Sequence, residues 1–446
     1  MRTRALPILV AAAAAALSAA PPARAQIALA AGPPQAPAAG APAPVLTLEE
    51  AIRTARERQP ALRSARAGTE AARARSDLAR SSLLPQLDAS ARYGRDTANV
   101  PGGPESWETA GSWLYGATLS QLVWDFGKST GRFRAAREGA AAQEEAERAT
   151  VLDVLLDVRS AFFSARAARD LVGVARETLE NQEAHLRQVE AFVEVGTRPE
   201  IDLAQARTDR ANAEVQLIVA ENAYVVAKAR LNQAMGVERS AEYRVSDDAL
   251  PPLPGEDGPL EALVEEAVRA RPDLAALAAS RRSQQAVVDA ARGGYLPTLG
   301  VQTSLVESGP ALDETAWNWG ASATLSWNLF GGGATRAEVR EARAGLDALD
   351  AEADALRQAV RLEVDSARLA LRATKSALGA AREALVNARE RLRLAEGRYQ
   401  AGAGSLLELS DAQVALTAAA AQQVRAEYEL AAARAALLRA LGREGS

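Results

Sequence analysis

Two stretches of this chain keep an apolar rhythm far longer than ordinary globular helices do. From Lys128 to Val195, and again from about Thr335 to Ala401, apolar positions recur at helical spacing without a proline. Each stretch predicts a helix of roughly 67 residues, about 100 Å at 1.5 Å per residue. In the second, Leu371, Leu378, Leu385, Leu392 and Tyr399 recur every seventh residue, with Ala367, Thr374, Ala381, Ala388 and Ala395 between them. A heptad stripe with small residues at alternate contacts calls for closely packed neighbouring helices. A further helix carries the same theme through Leu409, Leu416, Ala420, Val424, Ala431 and Leu438.

Elsewhere the period changes to two. In "AWNWGASATLSWNLF", Trp317, Trp319, Ala321, Ala323, Leu325, Trp327 and Leu329 share one face, opposite Asn318, Gly320, Ser322, Thr324, Ser326 and Asn328. Leu299, Val301, Thr303 and Leu305 alternate in the same way, as do Trp113, Tyr115, Ala117 and Leu119, although Gln121 and Trp124 blur the last pattern. Strands are expected at about 86–95, 112–125, 297–306 and 316–329. Two readings share this period: a half-buried sheet in a soluble protein, and membrane strands with one face to lipid.

The chain reads as two copies. Pro60 answers Pro272 and Pro85 answers Pro297 at one offset; Phe126 then falls on Phe330, Gly196 on Gly402 and Asp202 on Glu408. The first copy is expected over 46–240 and the second over 259–442, with a linker at 241–258 and a tail at 443–446. Each follows one plan: a short helix, a medium helix, two strands, a long helix, a glycine turn and a fourth helix. The medium helix at 61–84 and the fourth at 200–235 would together run alongside the long one. The longer loop "GRDTANVPGGPESWETAG" accounts for the change of offset.

The beginning, "MRTRALPILVAAAAAALSAAPPARAQ", has the order of a secretory signal peptide, with cleavage expected after Ala25. Residues 26–45 are Pro/Ala-rich and predict a disordered arm. The leader and the tryptophans favour the membrane reading of the strands. Four strands do not close a barrel, and open edges in hydrocarbon leave backbone groups unpaired. Several chains must therefore share one barrel.

Composition narrows the remaining options. Apolar residues make up 48% of the 446, aromatics only 4%, which suits close-packed helices better than a thick globular core. The net charge of −5 comes without a basic stripe, so no nucleic-acid partner is expected. There is no cysteine, hence no disulfide, thiolate metal site or lipoprotein anchor. The single histidine, His185, reads as a solvated helix residue. "FGKST" at Phe126–Thr130 imitates a phosphate loop, but Leu122 stands where a glycine is required; "FGGGAT" imitates a dinucleotide fingerprint, with Arg336 in the place of a glycine. Both read as strand-to-helix hinges. With no catalytic set and no metal cluster, neither an enzyme nor a cofactor is expected.

In their duplicated order, "LTLEEAI…QPALRSARA", the paired "LLPQL" and "YLPTL", the "FG" junctions and "YQAGAGSLLELSDAQ" make the chain resemble the TolC family of outer-membrane factors over about Leu46–Gly442. The resemblance implies a mainly α protein with a small β part. It implies a homotrimer in the bacterial outer membrane, each chain giving four strands to a twelve-stranded barrel that continues as a helical tunnel into the periplasm. It also implies a periplasmic adaptor and an inner-membrane transporter as partners. The duct would carry small molecules such as drugs or metals, or, alternatively, secreted proteins. A periplasmic coiled-coil scaffold without a pore is the rival of another class.

By the same resemblance the turn at Gly402 and Gly404 is the periplasmic tip, and Gly196 marks its counterpart. Glu408 and Asp411 share a helix face and match acidic residues at the constriction of family members; Tyr399 matches a residue that helps hold the tip shut. Glu408 reads equally as the partner of Ser405 in a capping box, and Tyr399 as the last core residue of its stripe. Where relatives carry a basic residue that ties the tip closed, this chain has Gly404. Arg198 and Asp202, at the matching turn of the first copy, are candidates for a substitute contact.

Overall fold

The computed structural model describes residues 44–98, 108–238 and 242–445, which include one compact unit beginning at Pro44. The signal peptide and most of the Pro/Ala-rich arm lie outside the described residues. Val45, expected in that arm, is instead in strand β1 (Val45–Leu46). Helices α1 (Leu48–Arg58) and α2 (Pro60–Ser81) follow, then strands β2 (Gln86–Ala98) and β3 (Glu108–Trp124), helix α3 (Lys128–Glu194) and helix α4 (Glu200–Met235). After β4 (Arg244–Val245) the order repeats: α5 (Leu260–Ala270), α6 (Pro272–Gly293), β5 (Thr298–Ala311), β6 (Glu314–Ser326), α7 (Ala334–Gln400) and α8 (Leu406–Ala440).

The two halves match in length as well as order. Helices α1 and α5 have 11 residues each, α2 and α6 have 22, α3 and α7 have 67, and α4 and α8 have 36 and 35. The break between short and medium helices has one cause in both. Gln59 and Arg271 take extended backbone (ψ 120° and 124°), because the proline that follows disfavours the α region before it and then serves as a first helical residue.

Helices lie side by side in two rows along α3 and α7. Near the strands the neighbours run α2, α3, α6, α7; away from them they run α4, α3, α8, α7. The heptad leucines of α7 and Tyr399 are all buried, with Ala381, Ala388 and Ala395 between them. The largest core cluster lies where the rows meet, around Phe162, Phe163, Leu231, Leu371 and Leu437.

That cluster takes in the expected linker. Tyr243, Val245, Leu250 and Leu253 are buried, and β4 pairs in parallel with β1. Glu256, 5% exposed, accepts from the Leu253 N–H at 2.8 Å and contacts Lys375 Nζ at 2.7 Å and Arg434 Nε at 3.3 Å. Burial alone would raise its pKa; these donors outweigh it and hold the carboxyl below the usual range. This contribution is present at neutral pH and is lost as acidification protonates Glu256. The tail is tied too: Arg443 meets Glu266, Arg56 meets Glu444, and Arg159 donates to the Glu444 and Gly445 carbonyls. Residues 242–258 and 443–445 are thus packed parts of the fold, not connectors.

The strands form one antiparallel sheet in the order β2-β3-β5-β6, and they outrun their expected limits at the end away from the helices. Residues 96–98 and 108–111, expected outside the strands, are paired strand. At the other end β6 stops at Ser326, so Trp327 and Leu329 lie beyond it, and the Trp327 indole donates to the Tyr295 carbonyl at 3.1 Å. The blurred pattern in β3 has a simple origin. A bulge between Leu122 and Trp124 inserts Val123 and returns Trp124 to the face of Leu119 and Gln121, opposite Leu299.

The hinge after β3 also needs a correction. Residues Phe126 and Gly127 have φ of 53° and 92°; Gly332 and Gly333 have 65° and 87°. By backbone conformation, Phe126 matches Gly332 and not Phe330. Side-chain identity misled the alignment where the backbone sets the turn. The α3 N-terminus, which resembled a phosphate site, is occupied by Asp125: its carboxylate accepts from the Gly127 and Ser129 N–H groups at 3.2 and 2.6 Å.

Leu371, 1% exposed in the main cluster, makes the packing testable. Leu371→Ala should cost about 2–5 kcal/mol by opening a cavity, whereas the exposed neighbour change Arg372→Ala should stay within roughly 0.5 kcal/mol. Helical circular dichroism during denaturation measures both.

Candidate functional site: an open sheet and a polar tip

Register sorts the sheet into two unlike faces. Leu87, Ala89, Ala91 and Tyr93 lie opposite Leu119, Ala117, Tyr115 and Trp113. On the same face, Leu305, Thr303, Val301 and Leu299 lie opposite Trp319, Ala321, Ala323 and Leu325. The other face carries Asp88, Ser90, Arg92, Thr118, Ser120, Gln302, Ser304, Asn318, Ser322 and Thr324. Aromatic residues flank the apolar band at both ends: Tyr93, Trp113, Tyr115, Trp317 and Trp319 above, Trp124, Phe126, Trp327 and Phe330 below. Most large side chains on this face are exposed, Trp317 at 70% and Leu325 at 66%, while Trp113, Tyr115 and Leu299 are half-buried. Glu307 intrudes at the upper aromatic ring, where Tyr115 Oη and Thr315 Oγ1 donate to it at 2.6 and 3.0 Å.

The edges β2 and β6 have no strand partner beyond them among the described residues. Among the described residues no helix is long and apolar enough to cross a membrane. The strands, 13 to 17 residues long, exceed the roughly ten that a tilted membrane strand needs.

At the far end, both turns reverse through a left-handed glycine, Gly196 at φ 73° and Gly402 at φ 72°. Gly404 is different. Its φ is not in the left-handed region; instead, a Cβ there would lie 3.0 Å from the Tyr399 nitrogen and 3.2 Å from the Arg398 carbonyl carbon. Position 404, just before the Ser405 cap, is crowded because the chain folds back onto the end of α7. Ser405 then accepts from the Glu408 N–H at 3.1 Å. The reciprocal half of the expected capping box is missing, because the Glu408 carboxylate turns to Arg398 Nε at 3.2 Å. Glu408 thus finds a basic partner on the preceding helix of the same chain. Asp411, on the same face, is exposed and forms no ion pair among the described residues.

Tyr399 faces inward, 2% exposed, in a cluster with Leu392, Ala395, Leu409 and Ala412. Arg198 lies over its ring at 4.7 Å, so the turn of the first copy does touch the second. Burial raises the Tyr399 pKa, which Arg198 opposes and Asp202 favours. Its hydroxyl has no hydrogen-bond partner among the described residues.

His185 is not solvated as expected. It is 7% exposed and meets the Tyr399 ring edge-on, centroids 5.7 Å apart. Two rungs continue this seam: Gln182 Nε2 donates to Gln413 at 3.0 Å, and Thr178 and Thr417 hydroxyls meet at 3.0 Å. The signal lay in α3 itself. Counting back from Phe192 and Val189 by threes and fours lands on His185, Gln182 and Thr178, the inward stripe of a coiled coil.

The unpaired Tyr399 hydroxyl yields an expectation. Tyr399→Phe should hold stability level or raise it by up to about 1 kcal/mol, since a buried hydroxyl without a partner is unfavourable. Tyr399→Ala should cost about 3–5 kcal/mol. Denaturant unfolding distinguishes a packing residue from one held by its hydroxyl.

Comparison with known proteins covers nearly the whole of this architecture. The family model described as outer membrane efflux protein matches residues 51–237 and 263–443. The outer membrane protein OprJ of Pseudomonas aeruginosa is 27% identical over 382 residues, 82% of this chain and 78% of the relative. Protein CyaE of Bordetella pertussis is 30% identical over 407 residues, 90% of this chain and 85% of the relative. The solved outer membrane channel CmeC of Campylobacter jejuni superposes with a TM-score of 0.79 at 21% identity, covering 90% of this chain and 86% of that one.

Proposed function

The chain belongs to the outer membrane efflux protein family, and we propose that three copies assemble into one exit duct across the outer membrane. Each copy gives four strands to a common twelve-stranded barrel, and the helical rows join into a tunnel reaching into the periplasm. The observation that carries this reading is the sheet with an apolar, aromatic-bounded face and two unpaired edges. In hydrocarbon each unpaired backbone group costs several kcal/mol, so β2 of one protomer must pair with β6 of another. The helical rows support the same assembly: the outer helices carry unpartnered apolar residues, Val215, Ile218, Val219 and Val225 on α4, Leu362, Leu369, Val386 and Leu394 on α7.

Within this duct the tip is the constriction. Threefold symmetry turns each carboxylate into a ring that favours cations. Asp411 is the stronger candidate, because Arg398 already compensates Glu408 inside each chain. The Arg198–Tyr399 contact and the Arg398–Glu408 pair together take the place of the tie absent at Gly404. Each is modest: an exposed ion pair contributes about 0–1 kcal/mol and a cation–π contact about 0.5–2 kcal/mol. A tip held this lightly suits a gate. Efflux membership supports small-molecule cargo, delivered by an inner-membrane transporter through a periplasmic adaptor. The chain itself supplies a passive path and no chemistry.

Planar bilayers test the constriction. Asp411→Ala, alone or with Glu408→Ala, should lower cation selectivity and weaken block by trivalent cations, and Glu408→Ala alone should do less. Unchanged selectivity and block in the double variant would remove both residues from the pore.

A further inference from the structure

The seam beside the tip contains a group that closure of the duct does not require. His185 is the only histidine in the chain. It sits in α3 against α7, just inside the two turns, in a seam otherwise closed by Leu392, Ala395, Leu409 and Ala412. Its Nε2 is buried without a hydrogen-bond partner among the described residues, and so is the hydroxyl of Tyr399, the ring it meets. Protonating an imidazole placed this way puts charge on a buried Nε2–H that has no acceptor in the closed seam among the described residues.

We propose that His185 is a proton-operated catch: protonating its imidazole parts the seam between the first and second copies at the tip and shifts the duct toward its open state. This rests on the channel reading above and adds to it how closure is regulated. The charged neighbours define the sign. From α4, Asp202 and Asp209 favour the imidazolium, and burial outweighs them, holding His185 below the ordinary histidine range while the seam is shut. From the turn, Arg198 lies over Tyr399 and disfavours a second positive charge beside it. On α3 itself, Glu183 and Glu190 are drawn off by Arg210 and Arg207. From α7 comes Tyr399, and α8 brings Leu409 and Ala412.

Once the seam parts, water reaches the ring, the burial penalty goes, and Asp202 and Asp209 remain. The parted state therefore binds the proton more tightly. By linkage, closure is fully favoured above the ordinary histidine pKa, about 6.5, and weakens as pH falls through it.

A single histidine makes the test direct. The detergent-solubilised, Strep-tagged protein with isotope-labelled histidine gives one imidazole signal, followed by NMR from pH 8 to 5 while bilayer conductance is recorded between pH 7.5 and 5.5. The expected result is a depressed or slowly exchanging imidazole titration at neutral pH and a severalfold rise in open probability on acidification. That rise should be absent in His185→Gln and in His185→Phe. The phenylalanine variant keeps an aromatic ring against Tyr399 if glutamine impairs assembly. An imidazole titrating like free histidine, a wild-type conductance indifferent to pH, or an undiminished rise in both variants would overturn the catch and leave the duct standing. Failure of the wild type to conduct at any pH would instead overturn the duct, and the catch with it.

Discussion

Backbone hydrogen bonding at the edges of the four-stranded sheet is the constraint from which the rest follows. Register places an apolar, aromatic-bounded band on one face and hydroxyls, amides and a few charges on the other. A surface of that kind suits lipid on one side and water on the other. Yet β2 and β6 end the sheet with rows of donors and acceptors that lipid does not satisfy. One chain is therefore an incomplete object, and the proposed trimer is what its hydrogen bonds demand. The helices answer in kind, since the outer members of both rows carry exposed apolar residues that none of the described residues covers.

Length and thinness are consequences of the same design. A tunnel wall needs helices that reach far without building a thick core. Alanine at alternate heptad positions of α7 brings its neighbours close, while Leu371, Leu378, Leu385, Leu392 and Tyr399 supply the contact. The wall thickens at one level, where β1, β4 and the segment around Glu256 bind both halves together. Beyond that level the packing thins toward the tip. There, polar rungs and a buried histidine interrupt the aliphatic contacts of Leu392 and Leu409, and in the proposed duct closure rests on a few weak interactions.

Period and punctuation made most of this fold legible in the sequence. Prolines at 60 and 272, glycines at 196 and 402, and the switch from a period of 3.6 to 2 located the elements, because each reflects a local backbone requirement. The failures share one cause as well. Phe126 was matched to Phe330 by side chain, whereas its backbone corresponds to Gly332. Gly404 was read only as part of the tip turn, whereas a Cβ there would crowd the backbone of Tyr399 and Arg398. His185 was read as solvated, and the Arg398–Glu408 pair went unforeseen. All four depend on what stands across a turn or seam, which local pattern does not encode.

The most direct measurement is the molecular mass of the detergent-solubilised protein, corrected for bound detergent, taken by light scattering from the outer-membrane fraction. The account requires a species of three protomers that resists dissociation until its barrel is heated apart. A stable monomer, soluble without detergent, would contradict it.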